Sequence, residues 1–139
     1  MLSVVIPSYN RRDCVLNLLR DVFAQEEVEF EVIVVDDCSP DDSVEAIRRE
    51  FPQVNLLVNV KNGGPCVTRN RGIREASGDW IVGFDSDVTL PDRKLLAKVW
   101  NAVSDHPKAI GFAFRIFNSD GVTEDSPRWW HPVSLAKGG

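Results

Sequence analysis

The sequence predicts an α/β protein: a three-layer α/β/α sandwich on a mostly parallel sheet. Three observations predict it. Short apolar runs rich in β-branched residues recur along the chain. Amphipathic patterns at helical spacing separate them. Polar clusters carrying carboxylates or a turn proline follow three of the runs directly.

The first run, Leu2 to Ile6, stops at Pro7. Asn10 is placed to cap the next helix, with Asp13 completing a capping box. That helix presents Val15, Leu18, Leu19, Val22 and Phe23 on one face. The second strand, Val32 to Val35, ends in Asp36-Asp37. Ser39 reads as the next N-cap, with Pro40 at the first helical position. Val44, Ile47 and Phe51 form the apolar face of this second helix. Val54 to Val58 reads as a third strand. Gly63-Gly64-Pro65 opens a third helix, which Gly78 closes. Trp80 to Phe84 is a fourth strand, ending in Asp85-Ser86-Asp87. Pro91 and Asp92 start a helix carrying Leu95, Leu96, Val99, Trp100 and Val103, and Ala109 to Phe117 reads as a fifth strand. Continuous apolar strands need cover on both faces, which a parallel sheet between helix layers provides. Residues 1–117 therefore form the expected domain, and 118–139 an irregular segment.

The chain has 139 residues and is 43% hydrophobic and 27% charged, the balance of one globular domain. Its net charge of −5 lacks the basic face that nucleic-acid binding needs. Cys14, Cys38 and Cys66 are scattered and show no CxxC spacing, so reduced thiols are expected and a zinc site is not. No apolar run approaches the roughly 20 residues of a membrane span. The expected location is the cytoplasm, with the inner face of a membrane as the other candidate.

In parallel sheets ligands sit outside the carboxyl ends of the strands. Pro7 to Asn10, Asp36-Asp37 and Asp85 to Asp87 all fall there. Asp85 and Asp87, one residue apart after a strand, project toward one point if the chain turns; hard oxygen ligands suit Mg2+ or Mn2+. The bland alternative is a turn whose aspartates cap the next helix. Asp36-Asp37 offers ionised acceptors, able to take the imide N–H of a uracil ring. Ser39 and Asp42 are expected to do the capping there, which leaves the aspartates for a ligand. Tyr9 offers an aromatic face to a base, although a tyrosine in a turn is more often simply packed. Gly63-Gly64 lets backbone approach a ligand, and Arg69 or Arg71 is a candidate for a diphosphate. The competing reading of the arginines is a solvated helix face with Arg71 paired to Glu75.

These pieces together resemble the family 2 glycosyltransferases. The resemblance is carried by Val4-Val5-Ile6-Pro7-Ser8-Tyr9-Asn10-Arg11, Val34-Val35-Asp36-Asp37-Cys38-Ser39, Asn62-Gly63-Gly64, Arg69-Asn70-Arg71-Gly72-Ile73, Ala76-Ser77-Gly78-Asp79-Trp80 and Phe84-Asp85-Ser86-Asp87. It implies a GT-A fold, which is Rossmann-like, and inverting transfer of a sugar from a nucleotide donor, usually UDP-linked. It places Pro7, Ser8 and Tyr9 at the nucleobase, Asp36 and Asp37 with it, and Gly64 beside base and ribose. Arg69, Asn70, Asp85 and Ser86 complete the nucleotide-sugar set, and Asp87 with Asp85 ligates the metal. The family's general base comes from a later half of the chain. Glu124-Asp125 is the only acidic pair downstream and comes too early, so no base is assigned. The acceptor is open among glycan, lipid and protein. A sheet edge left uncovered invites pairing with a second copy, so a homodimer is one expected assembly.

Two rivals come from other classes. A module that binds nucleotide-sugar, or a partner chain, without turnover uses the same rim. Phe84-Asp85-Ser86-Asp87-Val88-Thr89 also resembles the DxDxT signature of haloacid-dehalogenase phosphatases, where the first aspartate is a nucleophile. That signature belongs on a first strand, whereas here it follows the fourth. A dinucleotide-binding dehydrogenase is disfavoured because no GxGxxG follows the first strand.

Overall fold

The computed structural model describes residues 1–112 and Gly121. Four strands, β1 (Leu2–Ser8), β2 (Phe30–Asp36), β3 (Asn55–Val58) and β4 (Trp80–Gly83), alternate with helices α1 (Arg12–Phe23), α2 (Ser43–Glu50), α3 (Pro65–Glu75) and α4 (Leu95–Asp105). All strand pairs are parallel, in the order β3-β2-β1-β4. The sandwich and the parallel sheet are as the alternation of patterns predicts.

The two sheet faces carry different cores. Leu2, Val4 and Ile6 alternate to one side, where they join Leu18, Leu19, Ile47 and Leu96 from α1, α2 and α4. Val5, Ile33 and Val35 point to the other side, toward α3. Gly72 sets that second contact: a Cβ there would lie 2.5 Å from Val5 Cγ1 and 3.1 Å from Val35 Cγ2. The bare backbone lets α3 lie directly on the sheet.

Several helix starts differ from expectation. The α1 N-cap is Arg11, not Asn10, and its own side chain makes no capping bond. Asn10 instead adopts φ 51 and Asp13 pairs with Arg12, so no capping box forms. Asp41 supplies the acceptor, taking a bond from Arg12 N at 3.2 Å across the loop. The α2 helix begins at Ser43 with Asp42 as N-cap, and Ser39-Pro40 lie in the preceding loop. There Asp41 Oδ1 accepts from Ser43 N and Oγ at 3.2 and 2.5 Å. The α3 helix ends at Glu75, before Gly78. Gly78 N donates to Ser3 Oγ at 2.8 Å, tying the entry of β4 to β1.

A first compact unit spans Met1–His106 and a second begins at Pro107. Within the second, Ala109 to Phe112 is not a strand. The rest of the expected fifth strand, the boundary at 117 and Glu124-Asp125 lie outside the described residues. No helix among the described residues is long and apolar enough to cross a membrane.

Candidate functional site

The strand order changes direction beside β1: the chain runs from β1 outward to β2 and β3, then crosses back to β4. Such switch points open a crevice at the carboxyl ends of the strands. A cavity of about 470 Å³ lies there. Pro7, Ser8, Tyr9 and Arg11 line it from the end of β1, and Asp37 from the end of β2. Asn62, Gly64, Pro65 and Thr68 come from the start of α3, and Asp85, Ser86 and Asp87 from the end of β4. Eight of the eleven residues proposed from sequence therefore meet at one cavity: Pro7, Ser8, Tyr9, Asp37, Gly64, Asp85, Ser86 and Asp87.

Asp37 organises the α3 side. It is buried, and its Oδ1 accepts from Asn59 Nδ2 at 2.6 Å and Gly63 N at 2.9 Å. Its Oδ2 accepts from Gly64 N at 2.8 Å. Burial opposes the ionised form, but bonds from Asn59, Gly63, Gly64 and Thr68 outweigh it and hold the carboxyl below its ordinary range. Gly64 has φ 81 and ψ 168, a conformation essentially reserved for glycine. The turn thus aims two N–H groups at one carboxylate. Arg71 supports the arrangement from behind, donating to Val58 O at 2.8 Å and Asn59 Oδ1 at 2.6 Å. These bonds stand in place of the competing reading, a pair with Glu75, and Arg71, the other diphosphate candidate, does not line the cavity. Asn59 lies outside the set of residues proposed from sequence; its only local signal is a polar residue directly after a strand.

Asp36 is fully buried and does not line the cavity. Its Oδ1 accepts from Ser39 N at 2.8 Å and its Oδ2 from Ser39 Oγ at 2.5 Å. Ser39 Oγ in turn accepts from Asn10 N at 2.9 Å. Ser39 therefore serves Asp36 rather than the helix start, and the aspartate pair is not left free as expected. Asp36 joins the loops after β2 and β1. Asn10 and Cys38 in those loops both hold positive φ, at 51 and 64. Asn70 is exposed on α3 and does not line the cavity either.

Asp85 and Asp87 are held differently. Arg69 pairs with Asp85 Oδ1. Arg11 Nη1 donates to Asp87 Oδ2 at 2.7 Å, joining the loops after β1 and β4 across the crevice. Both carboxylates stay open to solvent, with side chains 67% and 48% exposed. No group of three or more His, Cys, Asp or Glu able to hold a metal occurs among the described residues. The chain thus offers two carboxylates at the cavity, which suits a hard cation that takes its other ligands from phosphate oxygens and water. Ser8 Oγ is buried without a hydrogen-bond partner beside the same cavity.

A family model described as glycosyl transferase family 2 matches residues 3–138. The chain belongs to that family. It is 40% identical over 138 residues to the succinoglycan biosynthesis protein ExoO of Rhizobium meliloti, covering 97% of this chain and 38% of ExoO. It is 36% identical over 124 residues to an uncharacterized glycosyltransferase of Haemophilus influenzae, covering 89% of this chain and 41% of that protein. The chain thus spans about two fifths of the length of these relatives. Among solved structures, Staphylococcus aureus TarS 1-349 in complex with UDP superposes with TM-score 0.69 at 28% identity, over 84% of this chain and 39% of that one. The mannosyltransferase PcManGT of Pyrobaculum calidifontis, in complex with GDP-Man and Mn2+, gives 0.68 at 28% identity, over 76% and 32%. The fold is of the GT-A type that the sequence motifs imply.

Proposed function

We propose that this chain is the donor-binding part of an inverting glycosyltransferase that uses a UDP-linked sugar and a divalent metal, Mg2+ or Mn2+. One observation carries the reading: the nucleobase-side residues, Gly64 and the Asp85–Asp87 pair share one cavity at the sheet's switch point. Tyr9 and Pro7 offer flat faces to a base. The ordered Gly63-Gly64 turn brings backbone close to the ribose. Asp37 already accepts three bonds from the chain, so its contact with a base uses the remaining lone pairs of the same oxygens. Arg11 and Arg69 stand beside the carboxylates with donors suited to a diphosphate.

TarS complexes with UDP and with UDP-GlcNAc support the choice of base, and the Mn2+ of PcManGT supports the metal. When bound, the metal neutralises charge building on the leaving diphosphate. The acceptor side and the general base are not assigned to any residue. The proposed location is the cytoplasm or the inner face of a membrane.

Calorimetric titration of UDP, with and without Mn2+, tests the reading in the wild type and in Asp87→Ala. The expected result is metal-dependent binding, weakened more than about tenfold by the substitution, a loss of over ~1.4 kcal/mol. UDP binding that ignores both Mn2+ and Asp87 would sink the metal assignment. No UDP binding in either condition would sink the donor assignment. Sugar transfer is read separately; metal-dependent UDP binding without transfer would favour the binding module. Phosphate release from a generic phosphomonoester would move the reading to the phosphatase.

A further inference from the structure

We propose that Arg11 is the resident counter-ion of Asp87, which a divalent cation must displace, and that the displaced guanidinium is then free to meet the diphosphate. The inference rests on the metal reading of Asp85 and Asp87 and goes beyond it by giving Arg11 two alternative partners. Arg11 is the N-cap residue of α1, in the loop after β1, and its guanidinium crosses the crevice to Asp87 Oδ2 at 2.7 Å. It lines the same cavity as Asp87, whereas Arg69, which holds Asp85, is not among the lining residues. Arg11 is therefore the arginine placed to change partner within the cavity.

The electrostatics favour the exchange. A guanidinium and a divalent ion on one carboxylate repel each other at contact distance, where like charges interact strongly. Both members of the pair are about half exposed, at 52% and 48% of the side chain, so the contact is weak enough to be exchanged. Once released, the guanidinium keeps its planar fork of donors, which matches phosphate oxygens. Metal and diphosphate then favour each other through this side chain, and the coupling is reciprocal.

The test is Mn2+ titration followed by the electron paramagnetic resonance signal of the free ion, without nucleotide, in wild type, Arg11→Met, Arg12→Met and Asp87→Ala. Arg12→Met removes the same charge one residue away, from a side chain that pairs with Asp13 and Asp42. Arg11→Met is expected to bind Mn2+ about three- to fivefold tighter than wild type, with Arg12→Met within about twofold, as expected for removal of a weak ion pair. With UDP present, the gain in Mn2+ affinity should be smaller for Arg11→Met than for wild type. Arg11→Met binding no tighter than wild type, while Asp87→Ala loses Mn2+, overturns the counter-ion role and leaves the metal site standing. Equal tightening in Arg12→Met also overturns it, because general charge then explains the effect. Mn2+ binding that Asp87→Ala leaves intact overturns the metal site and the inference together.

Discussion

Two aspartate pairs stand at strand ends on either side of β1, and they are built for opposite tasks. Asp36 and Asp37, at the end of β2, are buried and accept bonds from Ser39, Asn59, Gly63 and Gly64. Asp85 and Asp87, after β4, are exposed and pair chiefly with Arg69 and Arg11. One rim thus combines carboxylates saturated by the chain with carboxylates open to solvent. A carboxylate surrounded by donors from its own chain fixes loops. A carboxylate held by one partly exposed arginine keeps room for another cation. The order β3-β2-β1-β4 places the first kind beside α3 and the second across the crevice.

The largest effect should come from breaking the saturated pair. Asp37→Ala leaves the N–H groups of Gly63 and Gly64 and the amide of Asn59 without their acceptor. The expected cost is about 2–3 kcal/mol, read from the midpoint of chemical denaturation, with loss of UDP binding as the turn loosens. A stability change near zero would show that the turn stands without Asp37.

A smaller effect follows from acid. The folded-state pKa of Asp37 lies below its ordinary 3.8, so its stabilising contribution is complete above that value. It fades as the pH falls through the depressed pKa. Asp41, whose burial is outweighed by bonds from Ser43 and Arg12 N, acts in the same window. Glu31 does so as well, where bonds from Ser3 and Ser77 outweigh burial. Stability should therefore decline as the pH drops below about 4, and Asp37→Asn should flatten part of that slope without removing it. A slope unchanged in Asp37→Asn would mean that Asp37 has no lowered pKa.

The smallest stability effect sharpens the contrast. Asp87→Ala should alter the stability derived from the denaturation midpoint by no more than about 0.5 kcal/mol, because an exposed ion pair contributes little. The same substitution that barely moves stability is the one expected to weaken metal-dependent UDP binding. If Asp87→Ala destabilised the fold as much as Asp37→Ala, the two pairs would not differ in kind.

Much of the fold was legible in the sequence because burial leaves a local pattern. Val4-Val5-Ile6 and Val32 to Val35 are apolar without interruption, since each face of the sheet has its own core. Val15, Leu18, Leu19 and Val22 follow helical spacing because α1 buries one stripe. Helix starts were less legible. The acceptor for Arg12 N is Asp41, 29 residues away, so no local capping signal marks it. Asp36 looked as available as Asp37 until Ser39 proved to be its partner rather than a helix cap.

The alternation of strands and helices, the family, and the acidic and glycine-bearing segments that meet at the rim are all carried by the order of residues. Which carboxylates are closed by the chain and which stay open emerges from the folded arrangement of the strand ends. That arrangement also supplies Asn59 behind Asp37 and Arg11 on Asp87, a contact across 76 residues. The physical reason is range. Hydrophobic periodicity reports burial over a few neighbours, whereas a carboxylate's role depends on the donors that distant strands bring within 3 Å.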